Sequence, residues 1–138
     1  MTRSDYLYAA AYFFERERGR PMDDAELACI RDEGLDQAGS TELRRVLEQG
    51  LVSGGWSANE RSLACFALGK TFDSTLTPLL QRQLRIEWEE RSCAVYQIMI
   101  CLSDLGEEVF ATDRGGSLSS MDVELNLRDA EAYLNRLR

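Results

Sequence analysis

The chain has 138 residues, of which 44% are hydrophobic and 29% charged, enough for a single domain with its own core and too apolar for a disordered chain. Its 24 Asp and Glu outnumber 16 Lys and Arg for a formal charge of −8, a field that repels nucleic acid and anionic lipid and attracts basic partners. Histidine is absent, which removes histidine triads, histidine general-base chemistry and most zinc and non-haem iron sites.

Only two prolines occur, and Leu, Ala, Glu and Arg outweigh the β-branched residues, a bias toward helix. No apolar stretch reaches the roughly 18 residues of a membrane span, and the N-terminus has no basic segment leading into an apolar run. A cytoplasmic location without membrane contact is the expectation. The cysteines are Cys29, Cys65, Cys93 and Cys101. None forms a C-x-x-C pair, and all sit in apolar helical patterns, so they read as buried free thiols.

The first helix is expected over 5–18, with Leu7, Ala10, Ala11 and Phe14 on one face, Ser4 or Asp5 as its cap and Gly19 at its end. Tyr8 and Tyr12 form a second stripe beside that face. A short helix follows from Asp23 or Asp24 to near Gly34, inside the densest acidic block, Asp23 to Asp36. The next helix, 42–52, turns Leu43, Val46, Leu47 and Leu51 inward and breaks at Ser53-Gly54-Gly55. Ser57-x-x-Glu60 has the form of a capping box, opening a helix that carries Leu63, Phe66, Ala67 and Leu68.

Pro78 suits the first turn of the next helix, with Leu76, Leu79, Leu80, Leu84 and Ile86 on its apolar side. Glu87-Trp88-Glu89-Glu90 then places acids at the start of another helix, favourable for its dipole. From Ser92 to Ser103 there is no charge, and a helix apolar all round is buried on all sides. The signal weakens after Gly106: 107–110 reads as helix or strand, 114–120 as an exposed loop, and a small hairpin near 107–123 stays open. Asn126 caps the final helix, which carries Leu127, Ala130, Leu134 and Leu137.

Asn59-Glu60-Arg61-Ser62-Leu63-Ala64 and Glu89-Glu90-Arg91-Ser92-Cys93-Ala94 are in register thirty residues apart, each read as opening a helix. With Ala67-Leu68-Gly69, Asp73 in the following turn and Leu79-Leu80 beyond it, the stretch from Asn59 to about Phe110 resembles HEAT-like repeats. The resemblance implies an all-α fold: a short right-handed α-α superhelix of helix pairs with capping helices, forming one helical-repeat domain over 1–138. The basic residue those repeats place in their second helix is replaced here by Leu79.

Small acidic HEAT-like proteins resemble the immunity proteins of bacterial polymorphic toxin and contact-dependent inhibition systems. That likeness implies a toxin-neutralising protein that binds and blocks a basic, nuclease-like toxin domain. The alternative reading is a HEAT-like scaffold or assembly factor holding a larger complex. No phosphate loop, nucleophile elbow or metal spacing is present in the sequence, so neither an enzyme nor a cofactor is expected. Aromatic anchors ringed by acids suit such an interface. The candidates are Trp56, Glu87, Trp88, Glu89, Glu90, Asp104, Glu107, Glu108 and Asp113, with the Asp23 to Asp36 block as the rival patch.

Overall fold

Seven α-helices and two 3₁₀ turns, with no strand, occur among the residues that the computed structural model describes, 2–115 and 117–137. The protein is all-α. The hairpin left open near 107–123 does not form, and Gly116 of the expected loop lies outside the described residues. The chain divides into two units, Met1–Thr71 and Phe72–Arg138.

The first unit holds α1 (Arg3–Glu17), α2 (Asp24–Asp32), α3 (Ser40–Ser53) and α4 (Ala58–Gly69). Three of these open on reciprocal capping boxes: Thr2 with Asp5, Asp23 with Glu26, and Ser57 with Glu60. Each satisfies otherwise orphaned backbone donors, and such a cap is worth about 1 kcal/mol. The cap of α1 is therefore Thr2 rather than Ser4 or Asp5, because the Asp5 carboxylate reaches back to the Thr2 amide instead of capping forward.

Helix α1 buries Leu7, Ala9, Ala10, Ala11, Phe13 and Phe14 and packs chiefly on α4, which buries Ala64, Cys65, Ala67 and Leu68. Small side chains on both faces let these two helices approach closely. Leu63 and Phe66, expected inside, are only half-buried, and the Lys70 ammonium lies 4.7 Å from the Phe66 ring centroid. Val46 is likewise exposed, while Leu43, Leu47 and Leu51 hold the inner face of α3. At the start of α4 the Arg3 guanidinium pairs with Glu60 at 3.0 Å and lies 5.5 Å from the Trp56 ring centroid. Arg61 donates to the Trp56 carbonyl at 2.7 Å. The Trp56 ring folds onto Gly50 of α3 so closely that a Cβ there would lie 2.0 Å from the nearest ring carbon.

The second unit begins with a 3₁₀ turn, Ser74–Leu76, capped by Asp73. It continues through α5 (Thr77–Glu90), α6 (Val95–Asp104), a second 3₁₀ turn at Thr112–Arg114, and α7 (Val123–Arg136). Pro78 sits in the first turn of α5, where its missing donor costs nothing. That helix runs on through Glu90, so Glu87 to Glu90 close a helix rather than open one. The two in-register segments therefore differ in structure: Asn59 to Ala64 form the first turns of α4, whereas Glu89 to Ala94 end α5 and make the turn into α6. Arg91 makes that turn in the left-handed conformation, φ 51°.

Helix α6 begins at Val95, and the charge-free segment is not buried all round: Cys93 is exposed, and Tyr96 and Ile100 are half-buried. Ala94, Ile98, Met99 and Leu102 face the core with Leu80 and Leu84 of α5 and Ala130, Tyr133 and Leu134 of α7. Ile86 and Leu137, expected inside, are exposed. The final helix starts three residues before Asn126, and Asn126 is buried within it rather than capping it.

The register of these helices follows from two hydrogen bonds. Trp88 Nε1 donates to the Leu127 carbonyl at 3.2 Å, and Gln81 Nε2 donates to the Tyr133 hydroxyl at 2.8 Å. Since position along α5 falls as position along α7 rises, the two run antiparallel. The four-residue link Arg91 to Ala94 makes α6 antiparallel to α5 as well. Helices α6 and α7 thus point the same way, and the segment from Leu105 to Asp122 must carry the chain back along them.

The contact between Trp56 and Gly50 sets two effects against each other. Alanine gains about 1 kcal/mol of helix propensity over glycine, but forcing a methyl into a filled site costs about 1–3 kcal/mol. Gly50→Ala is expected to destabilise the protein by about 1 kcal/mol and to release the indole. Urea unfolding with Trp56 emission in a Trp88→Phe background checks this; unchanged emission and a higher midpoint would show that the ring yields freely.

Candidate partner-binding face

The residues expected to form one acidic face are split by the helix directions. Glu87 is fully buried, accepting from Gln83 Nε2 at 2.6 Å and Ser92 Oγ at 2.7 Å. It continues the inward stripe of Leu80, Gln83 and Leu84 and has no surface to offer a partner. Trp88 is half-buried, its indole spent on the Leu127 carbonyl and the Arg91 guanidinium 5.9 Å from its ring centroid. Glu89 and Glu90 are exposed at the end of α5.

Asp104 and Glu108 are also exposed, but at the opposite end of the helix pair. Glu107 lies beside Gln81 there, about 12 Å down α5 from Glu89 at helical rise. Glu107 is half-buried and accepts from the Tyr133 hydroxyl at 2.6 Å. Burial first, and then this bond, push the Tyr133 phenol up to about 12. Asp113 is exposed but engaged by Arg128 at 2.9 Å. Trp56 belongs to the first unit, half-buried against Gly50.

Between these two ends the returning segment is pinned by a buried ion cluster that spacing in the sequence did not reveal. Arg114 and Asp129, each with a side chain only 2% exposed, pair at 2.9 Å. Arg114 also donates to Asn126 Oδ1 at 2.9 Å, and Asn126 Nδ2 donates to the Ser119 carbonyl at 3.0 Å. Asp129 accepts from the Ala111 amide at 3.1 Å and from Arg128 at 2.9 Å. Burial alone would raise the Asp129 pKa. The Ala111 amide and the two guanidiniums outweigh it and hold the carboxyl below its ordinary range.

What this pinned segment presents is apolar. Leu118, Met121, Val123 and Leu125 are all exposed, Met121 by 84%. Val123 and Leu125 lie two residues apart on α7 and so point to different sides of it. Val123 lines a cleft of about 50 Å³ together with Arg91, Ser92, Cys93, Val95, Tyr96, Ser120, Asn126 and Leu127. Helical spacing could not have found this exposure, because whether Val123 and Leu125 point in or out depends on where α7 begins.

Charge does not by itself separate the candidate patches, since Asp24 of the rival block is also exposed and pairs with no cation among the described residues. In the rival block, Glu26 binds Arg20 at 2.9 Å, Asp36 lies 3.8 Å from Arg16, and Asp32 lies 3.7 Å from Arg31. Asp23 is spent as the cap of α2. An open groove of about 370 Å³ runs past Tyr8, Tyr12, Asp23 and Cys29 on this side. In the second unit, no cation among the described residues pairs with the side chains of Glu89, Asp104, Glu108 or Glu124.

All four cysteines are free thiols, with Cys65 and Cys101 buried, Cys29 half-buried and Cys93 exposed, so Cys93 departs from the buried setting expected of it. Among the described residues no group of three or more His, Cys, Asp or Glu could hold a metal ion, and no helix is long and apolar enough to cross a membrane. No family model matches the chain, and no curated protein or solved structure is significantly similar to it.

Losing one member of a buried ion pair strands the other. Asp129→Asn is expected to cost about 3 kcal/mol at neutral pH. Because the native carboxyl ionises below its unfolded value near 4, its contribution is complete above that pH and fades as pH falls through the lower folded value. Urea midpoints measured from pH 7 down to 3 should therefore converge between the wild type and the variant. A constant gap across that range would mean that Asp129 acts by shape alone.

Proposed function

We propose that this chain is a non-catalytic binding protein that occludes a basic protein domain, in the manner of the toxin-neutralising immunity proteins that its acidity and helix pairs resemble. The observation that carries this reading is the set of exposed carboxylates on the second unit, Glu89, Glu90, Asp104, Glu108 and Glu124. Glu89, Asp104, Glu108 and Glu124 meet no cation among the described residues. Exposed like charges repel one another in the free protein, and a cationic partner relieves that repulsion. They also speed encounter with such a partner and reject anionic competitors.

The Trp88 indole is committed to α7, so it serves this surface as a support rather than as the inserted anchor that the sequence suggested. Glu87 is excluded from the contact by its burial. Nucleic acid and anionic lipid are disfavoured as partners by the same field.

The test is affinity purification from the source cell with the tagged chain, followed by stopped-flow association with the recovered domain. The expected partner is one strongly basic domain at equal stoichiometry. Its association rate should fall at least tenfold from low salt to 0.5 M, as screening over about 10 Å at 0.1 M requires. Glu89→Gln with Glu90→Gln should lower the rate at low salt and leave it unchanged at high salt. A neutral partner, or a rate indifferent to salt, would overturn the reading.

A further inference from the structure

We infer that the groove between α1 and α2 of the first unit is a binding site for a guanidinium group, carried on an arginine side chain of a partner protein. The site is distinct from the carboxylates proposed to meet a basic domain on the second unit, and it stands without them.

Both helices supply its walls. Tyr8 and Tyr12 lie four residues apart on α1, so their rings share one face, a turn apart. Asp23 and Glu26 of the α2 capping box, with the small side chains Ala25 and Cys29, complete the lining of an open groove of about 370 Å³. The only charged residues in that lining are the two carboxylates.

Polar groups in the groove are left to meet a ligand. Neither tyrosine hydroxyl has a hydrogen-bond partner among the described residues, although Tyr12 is half-buried. A phenol in such a setting normally finds one. Asp23 Oδ1 accepts from the Glu26 amide at 2.8 Å, while Oδ2 accepts from no donor among the described residues.

The field of the groove is negative. Glu15, Asp23 and Glu26 share one guanidinium, that of Arg20, which lies 3.1 Å from Glu15 and 2.9 Å from Glu26. Burial raises the pKa of the Tyr12 phenol, and Glu26, Cys29, Glu15 and Asp23 raise it further. Burial also raises the Cys29 thiol, with Glu33, Asp5 and Asp32 adding to the effect. Every charge acting on these two groups is an acid, so an anion is repelled and a cation drawn in.

The lining selects among cations. A guanidinium is planar and weakly hydrated, and it can stack on a tyrosine ring while its edge donates to a carboxylate. An ammonium holds its water more strongly, and an open groove does not remove it. A quaternary ammonium has no N–H to give Asp23 Oδ2 or a phenol oxygen. Arg20 already shows a guanidinium held between acids of α1 and α2 beside the groove.

The experiment is a titration of the full-length ¹⁵N-labelled chain, followed by amide shifts, with three end-capped Gly/Ser peptides. They differ at one central residue: arginine, lysine, or citrulline, the uncharged isostere of arginine. The arginine peptide should shift amides within 8–12 and 23–29, with lysine at least fivefold and citrulline at least tenfold weaker. Tyr8→Ala removes a side chain that is 47% exposed, and Asp23→Asn removes the charge while keeping a good helix cap. Each should weaken the arginine peptide at least fivefold and leave the thermal unfolding curve nearly unchanged.

Equal binding by citrulline would show that no cation is recognised, and equal binding by lysine that the field acts without a guanidinium seat; either overturns the inference. Full binding in both variants overturns it too. Shifts confined to the neighbourhood of Glu89, Glu90, Asp104, Glu108 and Glu124 would overturn the groove and leave the second-unit reading standing. Shifts at 8–12 and 23–29 with protein concentration alone would give the groove to a second copy and overturn the partner named here.

Discussion

A guanidinium taken out of water must be met by a carboxylate, and in the second unit that requirement governs the path of the chain, with the Arg114 Nε alone left without an acceptor among the described residues. Arg114 closes the 3₁₀ turn Thr112–Arg114, within the connection from α6 to α7. Asp129 and Asn126 of α7 receive it, and Asp129 also takes the Ala111 amide. Taken singly, a buried pair of this kind contributes little net stability, because desolvation offsets most of the Coulomb gain. Its value lies in excluding alternatives. If the segment slid by one residue along α7, a cation would be left in the core beside Phe110, whose ring centroid lies 5.6 Å from the guanidinium.

The two units solve the packing problem by different means. In the first, α1 and α4 meet through alanines and a buried cysteine, and three capping boxes define where helices begin. Polar groups there remain mostly at the surface. The second unit places Glu87, Gln83, Asn126, Asp129 and Arg114 inside; Gln83 and Glu87 pair with each other along α5, whereas Arg114, Asn126 and Asp129 tie the crossover to α7. This interior polarity lets a long connection without α-helix lie on a three-helix framework and still hold a defined shape.

Much of the helical framework was legible from the residues. Ser57-x-x-Glu60, Pro78 and the Ser53-Gly54-Gly55 break all fall where their chemistry places them, since each acts through neighbours within one turn. The errors arose where a residue's partner is distant. Asn126 has the character of a cap, yet it serves Arg114 and Ser119 from within α7. Glu87 reads as one of an acidic run, although its spacing from Leu80, Gln83 and Leu84 puts it on the inward stripe, a signal present in the sequence and outweighed by its charge. The thirty-residue register between Asn59 and Glu89 matched composition but not position within the helix. Of the candidate face, Glu89, Glu90, Asp104 and Glu108 are exposed as expected, and the exposure of Val123 and Leu125 was invisible because burial there depends on a helix start set by tertiary contacts.

The parallel course of α6 and α7 has a consequence for how the protein is made. Every contact that defines the first unit lies within its first 71 residues, so that unit can close while synthesis continues. In the second unit the Trp88 indole, the Glu107 carboxylate and the Arg114 guanidinium all take partners from α7, which leaves the ribosome after they do. Until then Arg114 has no carboxylate to enter the core with, and the crossover stays in water. The buried cluster around Arg114 can therefore form only once α7 is present.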